Sequence, residues 1–174
     1  MRSIILLAPL ALLACERNEL RTGAPLPGGR MATAAMVTAT GQPAGRATAT
    51  EVAGGVRVTL DARGLPPGVH GAHLHTVGRC DAPDFASAGP HWNPASTRHG
   101  TLNPQGPHAG DLPNLTVGPD GRGTLAITLA GATLADVLEA DGTAMVVHAA
   151  ADDLVTDPSG NSGGRIACGV LTAS

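Results

Sequence analysis

The stretch Gly54–Leu60 (GGVRVTL) places two glycines before a run in which apolar and polar residues alternate. Such alternation favours a β-strand that buries one face, and the glycine pair favours a turn before it. Similar short runs lie on either side, at Met31–Thr40, Arg46–Val52, Thr124–Leu129 and Ala144–His148. No stretch of convincing length has the helical period. Short strands separated by turn signals predict an all-β fold, an antiparallel β-sandwich or barrel.

Two long stretches, Gly78–Leu112 and Ala149–Gly164, do not have the pattern of strands. Loops of this length within a compact domain are commonly functional. They also contain most of the residues that can carry chemistry, so we expect both to be functional loops.

The composition excludes several classes of protein. Hydrophobic residues make up 43% of the 174 residues and charged residues 14%, which is unlike a disordered acidic or basic chain. The net charge is −3 and all 11 basic residues are arginine, without a basic run, so no nucleic-acid partner is predicted. Among Phe, Trp and Tyr the chain has only Phe85 and Trp92, which predicts a core of small aliphatic side chains. We therefore expect the fold to need further stabilisation, for which the three cysteines and seven histidines are the candidates.

The first residues are typical of an export signal. One positive charge at Arg2 precedes an apolar run, Ser3–Ala14, that is too short to span a bilayer. The sequence Leu12-Leu13-Ala14-Cys15 resembles a bacterial lipobox, in which the cysteine is acylated and becomes the mature N-terminus. An ordinary signal peptide with a chance cysteine is the alternative.

This interpretation divides the chain into three parts. Residues 1–14 form a signal peptide, and residues 15–30, polar and then rich in Gly and Pro, form a lipidated tether. Residues 31–174 form one domain.

Six of the seven histidines indicate a metal site. His73 and His75 are two residues apart, so on a strand both side chains lie on one face and can reach one metal. His91, His99, His108 and Asp111 follow within the first long loop, and His148 ends a later apolar run. Imidazole suits copper and zinc, and three histidines with one carboxylate suit a closed zinc site.

Longer motifs resemble those of copper,zinc superoxide dismutase over about residues 55–171. They are Gly71–Gly78 (GAHLHTVG), Ser87–Pro94 (SAGPHWNP), the spacing from His91 through His99 and His108 to Asp111, the segment His148–Leu154, and Gly160–Gly169 (GNSGGRIACG). The resemblance implies a Greek-key antiparallel β-sandwich or barrel of about eight strands with two long functional loops. It also implies dismutation of superoxide to dioxygen and hydrogen peroxide, with copper and zinc as cofactors.

The same resemblance implies a role for each matching residue. His73, His75, His91 and His148 would bind copper, and His91, His99, His108 and Asp111 would bind zinc, with His91 shared between the two metals. Asp152 would hydrogen-bond His73 and His99 from outside the ligand set. His91 and Arg165 would act in catalysis, Arg165 by holding the superoxide anion beside the copper. Ser159 is expected to line the same channel, whereas His70 is expected to be structural.

The resemblance also separates the three cysteines. Cys80 and Cys168 would form the intrasubunit disulfide of the family, which leaves Cys15 for acylation. A disulfide requires an oxidising compartment, so we expect a periplasmic protein held to a membrane by a lipid anchor on Cys15. A homodimer is compatible with the sequence, as is a monomer.

Two other functions compete with the enzyme. A lipoprotein that stores or delivers metal needs the ligands but neither Arg165 nor a shared histidine. A structural dismutase-like domain, such as a chaperone module, is expected to lack some of the copper ligands, and none is absent from this sequence.

Overall fold

The computed structural model of the chain describes residues 25–26, 28–139 and 141–174. Nine strands and one short helix lie within this part of the chain: β1 Met31–Thr38, β2 Pro43–Val52, β3 Gly55–Ala62, β4 Gly68–His70, β5 Ala72–His75, β6 Leu115–Val117, β7 Gly123–Ala130, α1 Leu134–Val137, β8 Thr143–His148 and β9 Arg165–Ala173. A single 3-10 turn, Ala86–Ala88, interrupts the first long loop. The fold is therefore all-β, as predicted.

Seven strands form one curled antiparallel sheet in the order β5-β8-β9-β1-β2-β3-β7, and β4 pairs with β6 separately. Three consecutive strands, β1 to β3, form hairpins, and the last strand returns to lie beside β1. This spatial order, 9-1-2-3, is that of a Greek key. Since only Gly71 separates β4 from β5, the two pieces count as one interrupted strand, which gives the predicted number of about eight.

The core is built from small and aliphatic side chains of the inward faces. In β1 the buried residues are Ala32, Ala34 and Met36, and in β3 they alternate from Val56 to Ala62. Trp92, although it lies in a loop, packs into this main core. The alternation read from the sequence is thus the inward and outward alternation of the sheet.

Strands β5 and β8 are buried on both faces. Met145 and Val147 of β8 face the main core, whereas Ala144 and Val146 face outward into a second cluster with Phe85, Ala88 and Cys168. Since Phe85 and Ala88 belong to the first long loop, that loop covers the outer face of these strands. The Cys80–Cys168 disulfide, which spans 88 residues of sequence, ties the loop to β9.

The structure contains four elements that alternation did not indicate. Strands β4 and β6 have only three residues each, β9 has three consecutive buried residues at Ala167–Gly169, and α1 is one turn closed by a capping box between Thr133 and Asp136. Neither of the two predicted loops, 78–112 and 149–164, contains a strand.

The signal peptide 1–14 and Cys15 lie outside the described residues. In the predicted tether 15–30, Pro25 forms an isolated bridge with Val52, and Arg30 forms an ion pair with Glu51 at 2.7 Å. No helix within the described residues is long and apolar enough to cross a membrane.

Candidate metal centre

The strand register places three histidines on one surface. Within β5, Ala72 and Leu74 face the main core, so His73 and His75 face outward beneath the first loop. In the β5–β8 ladder His73 lies opposite Val146 and His75 opposite Ala144, and His148 follows on the same face of β8. All three imidazoles are almost fully buried.

The first loop returns to β5 and adds two more groups. Isolated β-bridges pair His75 with His91 and His73 with Asp111. Side chains at directly opposite positions of an antiparallel pair are neighbours, so each bridge brings two of these side chains together. Gly110 makes the approach feasible, since a Cβ at this position would overlap the Leu74 carbonyl oxygen.

Each of four imidazoles has one nitrogen in a hydrogen bond and the other without a partner. His73 Nε2 bonds to Asp152 at 2.8 Å, His75 Nδ1 to the Gly89 carbonyl at 2.8 Å, His148 Nδ1 to the Gly163 carbonyl at 3.1 Å, and His91 Nδ1 to Asp111 at 2.9 Å. Among the described residues, the buried side-chain nitrogens without a partner are His73 Nδ1, His75 Nε2, His91 Nε2 and His148 Nε2. Donor atoms of the same four residues lie within 4.8 Å of one another. Buried polar atoms are rarely left without a partner, so this cluster has the properties of a ligand site.

A second group surrounds one carboxylate oxygen. The Nδ1 atoms of His91, His99 and His108 lie 2.9, 3.0 and 3.3 Å from Asp111 Oδ1. Asp111 Oδ2 accepts hydrogen bonds from the backbone N–H groups of Gly100 and His108 at 2.8 and 3.0 Å. The carboxylate is thus fixed by the loop while its other oxygen faces three imidazoles.

His73 also lies within 4.8 Å of donor atoms of His91, His99 and Asp111, a set that does not include His108. His73 has only one free nitrogen, however, because Asp152 holds the other. His108 Nδ1 is 3.3 Å from both Asp111 Oδ1 and His91 Nδ1. The structure therefore brings all seven residues predicted as metal ligands into two adjoining clusters that share His91.

Asp152 joins the two clusters. Its Oδ2 is 2.8 Å from His73 Nε2 and its Oδ1 is 3.0 Å from His99 Nε2. The backbone of Asp152 is held by a reciprocal pair of 2.8 Å bonds with the Asn114 side chain. Gly160, with φ of 63°, leaves room for this carboxylate, because a Cβ there would overlap Asp152 Oδ1.

Burial and hydrogen bonding keep these groups in the forms that bind metals. Burial lowers the pKa of His73, His75 and His148 to about 4, 2 and 3, so all three are neutral at pH 7. Burial opposes the ionisation of Asp111, but hydrogen bonds from His91 and Gly100 outweigh it and hold the pKa of Asp111 well below its usual range. Neutral imidazole and ionised carboxylate are the ligating forms.

A cavity of about 680 Å³ opens onto His75, His91 and His148. Arg165 lines it, and this side chain donates from Nη1 to the Phe85 carbonyl at 2.5 Å and from Nη2 to the Gly89 carbonyl at 2.7 Å. A guanidinium has five N–H groups, so donors remain for an anion in the cavity. Ser159 lines the same cavity, as predicted.

His70 is buried but belongs to neither cluster. Its Nδ1 lies 2.8 Å from the His148 carbonyl oxygen and its Nε2 lies 2.9 Å from that of Pro66. Both nitrogens are therefore used within the protein, as expected for a structural histidine.

Sequence reasoning missed the groups that hold the site from outside. Asn114, which fixes Asp152, follows a proline in a short connection and has no pattern that marks it. Asp157 accepts a hydrogen bond from the His99 backbone at 2.8 Å and so links the two long loops. The Gly89 and Phe85 carbonyls act through the backbone, which leaves no residue-type signal.

Comparisons with known proteins agree with this geometry. The family model of copper/zinc superoxide dismutase matches residues 43–171. The chain is 42% identical over 137 residues to Cu-Zn superoxide dismutase 1 of Aquifex aeolicus, covering 75% of this chain and 81% of that protein. It is 46% identical over 147 residues to the Cu-Zn superoxide dismutase of Caulobacter vibrioides, covering 80% and 84%.

The crystal structure of a SOD-like protein from Bacillus subtilis has the same fold. It superposes with a TM-score of 0.76 at 39% identity, covering 80% of this chain and 97% of that one. Together with the family match over most of the chain, these likenesses show that the protein belongs to the copper/zinc superoxide dismutase family.

Proposed function

We propose that this chain is a copper- and zinc-dependent superoxide dismutase. The observation that carries the proposal is the set of four buried imidazole nitrogens without partners, on His73, His75, His91 and His148. Four nitrogen ligands within one small space are a donor set that suits copper. Membership of the copper/zinc superoxide dismutase family supports the assignment of copper to these four histidines.

Zinc is assigned to the group around Asp111. Three imidazole nitrogens and one carboxylate oxygen make a closed set of four ligands, which is typical of zinc sites that support structure. His91 belongs to both sets through its two different nitrogens, because Nδ1 faces Asp111 and Nε2 is free on the other side. When bound, copper supplies the one-electron couple that converts two superoxide ions and two protons into dioxygen and hydrogen peroxide, and zinc supplies a fixed positive charge.

The residues around the cavity then have separate tasks. Arg165 presents free N–H donors and a positive charge to the substrate anion, and its two carbonyl contacts fix its orientation. His91 Nε2 is positioned to hold the proton that the reduced product requires, while Nδ1 of the same ring would be held within the zinc-binding group beside Asp111. Asp152 orients His73 and His99 by accepting a hydrogen bond from each.

Arg165 favours turnover over metal storage. A storage protein has no need of a half-buried guanidinium that opens onto the same cavity as the copper-binding histidines. A purely structural domain is disfavoured because every proposed ligand is present and buried.

The proposed export route rests on the N-terminal sequence. Residues 1–14 act as a signal peptide, Cys15 is acylated, and the domain works in the periplasm on a lipid anchor. The Cys80–Cys168 disulfide supports this location, because such bonds persist in oxidising compartments. Sedimentation of the full chain distinguishes a monomer from a homodimer.

The decisive experiment combines metal quantification with a superoxide dismutation assay on the same sample. We expect about one copper and one zinc per chain, because seven ligands serve two sites when His91 is shared. A protein that saturates at one metal in total, with both ions in excess, contradicts the shared site. Full loading without dismutation leaves metal storage as the function.

A further inference from the structure

A recess of about 300 Å³ lies on the outer surface of the barrel, away from the metal centre. Its lining includes Arg46, Arg63, Arg122 and Asp61, and we refer to it as the arginine recess. Its lining residues belong to β1, β2 and β3 and to the positions just after β3 and just before β7, and none of them belongs to the two metal clusters. Its volume is at the lower end of that of small-molecule sites, about 300–1,000 Å³.

The strand register forces the three arginines together. Arg46 lies directly opposite Asp61 in the β2–β3 ladder. The β3–β7 ladder ends at the pair Ala62–Gly123. Arg63 directly follows β3 and Arg122 directly precedes β7, so the two arginines lie next to each other beyond this pair. Like charges at facing positions are destabilising. The positions of Arg63 and Arg122 therefore carry an energetic cost, whereas Arg46 faces the opposite charge of Asp61.

Nothing in the described part of the chain neutralises this charge by direct contact. Three other arginines are paired with carboxylates: Arg30 with Glu51, Arg79 with Asp81 and Arg98 with Asp157. Among the described residues, the guanidinium groups of Arg46, Arg63 and Arg122 form neither an ion pair nor a hydrogen bond, although Asp61 lines the same recess. The three arginines are exposed and line the recess, so their donors are available to a ligand.

We propose that the arginine recess binds a phosphate-type oxyanion. A guanidinium group binds two phosphate oxygens with a pair of parallel N–H donors. Three guanidinium groups around one recess therefore favour a phosphate-type oxyanion over a halide ion. Three positive charges and one negative charge leave an excess of two. That excess balances a phosphate monoester, which carries about −1.5 to −2 at neutral pH. The bound anion also removes the repulsion between Arg63 and Arg122.

Inorganic pyrophosphate serves as the probe, titrated calorimetrically into the full chain at low ionic strength. We expect one site in the recess, with affinity weakened about tenfold in each of Arg46→Gln, Arg63→Gln and Arg122→Gln. Arg57→Gln is the matched control, because Arg57 lies on the outer side of β3, has no ion pair within the described residues and is not part of the recess lining. Affinity in that variant should remain within about twofold.

A second arm separates a soluble phosphate from a lipid headgroup. The same variants are tested for retention on phosphatidylglycerol vesicles. Retention on phosphatidylcholine vesicles is subtracted, which removes the contribution of an acyl anchor on the protein. Retention that requires the recess arginines, with or without pyrophosphate binding, identifies a headgroup; pyrophosphate binding alone identifies a soluble phosphate.

Three results overturn the proposal. The first is that neither probe binds. The second is that Arg57→Gln weakens binding as much as the recess variants, which indicates a general charge effect. The third is that Arg165→Gln abolishes binding while the recess variants retain it, which places the anion in the metal cavity.

Discussion

Arg165 and His75 donate hydrogen bonds to the same carbonyl oxygen, that of Gly89, at 2.7 and 2.8 Å. One peptide group thereby orients both the proposed anion-binding guanidinium and a proposed copper ligand. Gly89 has φ of 73°, a conformation that favours glycine over other residues. The distance between the cation and the metal ligands is thus set by the backbone of the first loop.

Replacing Arg165 with alanine should reduce kcat/KM for superoxide strongly and leave the copper and zinc content unchanged. The side chain contacts carbonyl oxygens and the substrate cavity, but no proposed ligand atom. Loss of one charged hydrogen bond of about 1.5–3 kcal/mol corresponds to about a 10- to 100-fold loss in rate. Stopped-flow kinetics beside metal analysis measures both quantities. Arg165→Lys, which keeps the charge, should recover part of the rate, and loss of copper from the alanine variant would indicate a structural residue.

Replacing Asp152 with asparagine should weaken metal binding at both sites. The carboxylate accepts from His73 and His99, and partners of this kind change metal affinity by about 10- to 100-fold. Competition with a chelator of known affinity measures the change. Asp153→Asn is the control, because this neighbouring carboxylate bonds only within its own loop. Equal weakening in the two variants would mean that loop folding, rather than ligand orientation, controls affinity.

The metal-free protein should lose stability as the pH falls from about 7 towards 4. Burial lowers the folded-state pKa of His73 to about 4 and of His148 to about 3, while an exposed histidine titrates near 6.5. Between these values the unfolded chain binds more protons than the folded one, so acid favours unfolding. Urea denaturation at several pH values measures how steeply the free energy of unfolding changes with pH. This dependence should be weaker in His148→Gln. A free energy of unfolding that does not change between pH 7 and 5 contradicts the prediction.

Chelation should lower the melting temperature substantially, and reduction of the disulfide should lower it further. Metal binding that requires the folded site adds to the free energy of unfolding. The Cys80–Cys168 bridge spans 88 residues, which by loop entropy contributes about 4 to 4.7 kcal/mol. Calorimetry of the metal-loaded, metal-free and reduced metal-free protein at one pH tests the order. Coincident transitions would mean that the β-barrel alone sets the stability.

Replacing Cys15 with alanine should release the protein from membranes without loss of dismutation. A diacylated cysteine provides the two chains that stable anchoring requires. Cell fractionation with activity measurement detects the release, and mass spectrometry of the protein from native membranes detects the acyl groups. An unmodified Cys15 in that sample would contradict the lipobox interpretation.

The sequence could predict strands that expose one face to solvent, because their apolar and polar residues alternate. The run Val56–Leu60, which lies within β3, has this property. Ala144–His148 lies within β8, which is buried on both faces, and was visible only as a short run of strand-like residues. The sequence could not predict β9 by alternation, because its central residues Ala167–Gly169 are buried in succession. The short β6 contains too few residues to show a period.

The proposed metal ligands could be named from the sequence because their residue types are rare and chemically specific, and because their spacing resembles a known family. The contacts that hold these residues in place from outside the ligand set could not be predicted. Asn114 acts through its amide, and Gly89 through a carbonyl that every residue possesses. Only the folded chain shows that these groups converge on Asp152, Arg165 and His75.

The single phenylalanine of the chain belongs to the first loop and packs against the outer face of β8, not in the core of the barrel. Phe85, Ala88, Ala144, Val146 and Cys168 thus form a second, smaller core that belongs to the metal-binding half of the molecule. Segments with their own buried cluster can open as separate cooperative units with less free energy than global unfolding. Amide hydrogen exchange in the loop can therefore proceed by a sub-global route, in which ions enter or leave while β1, β2 and β3 remain closed.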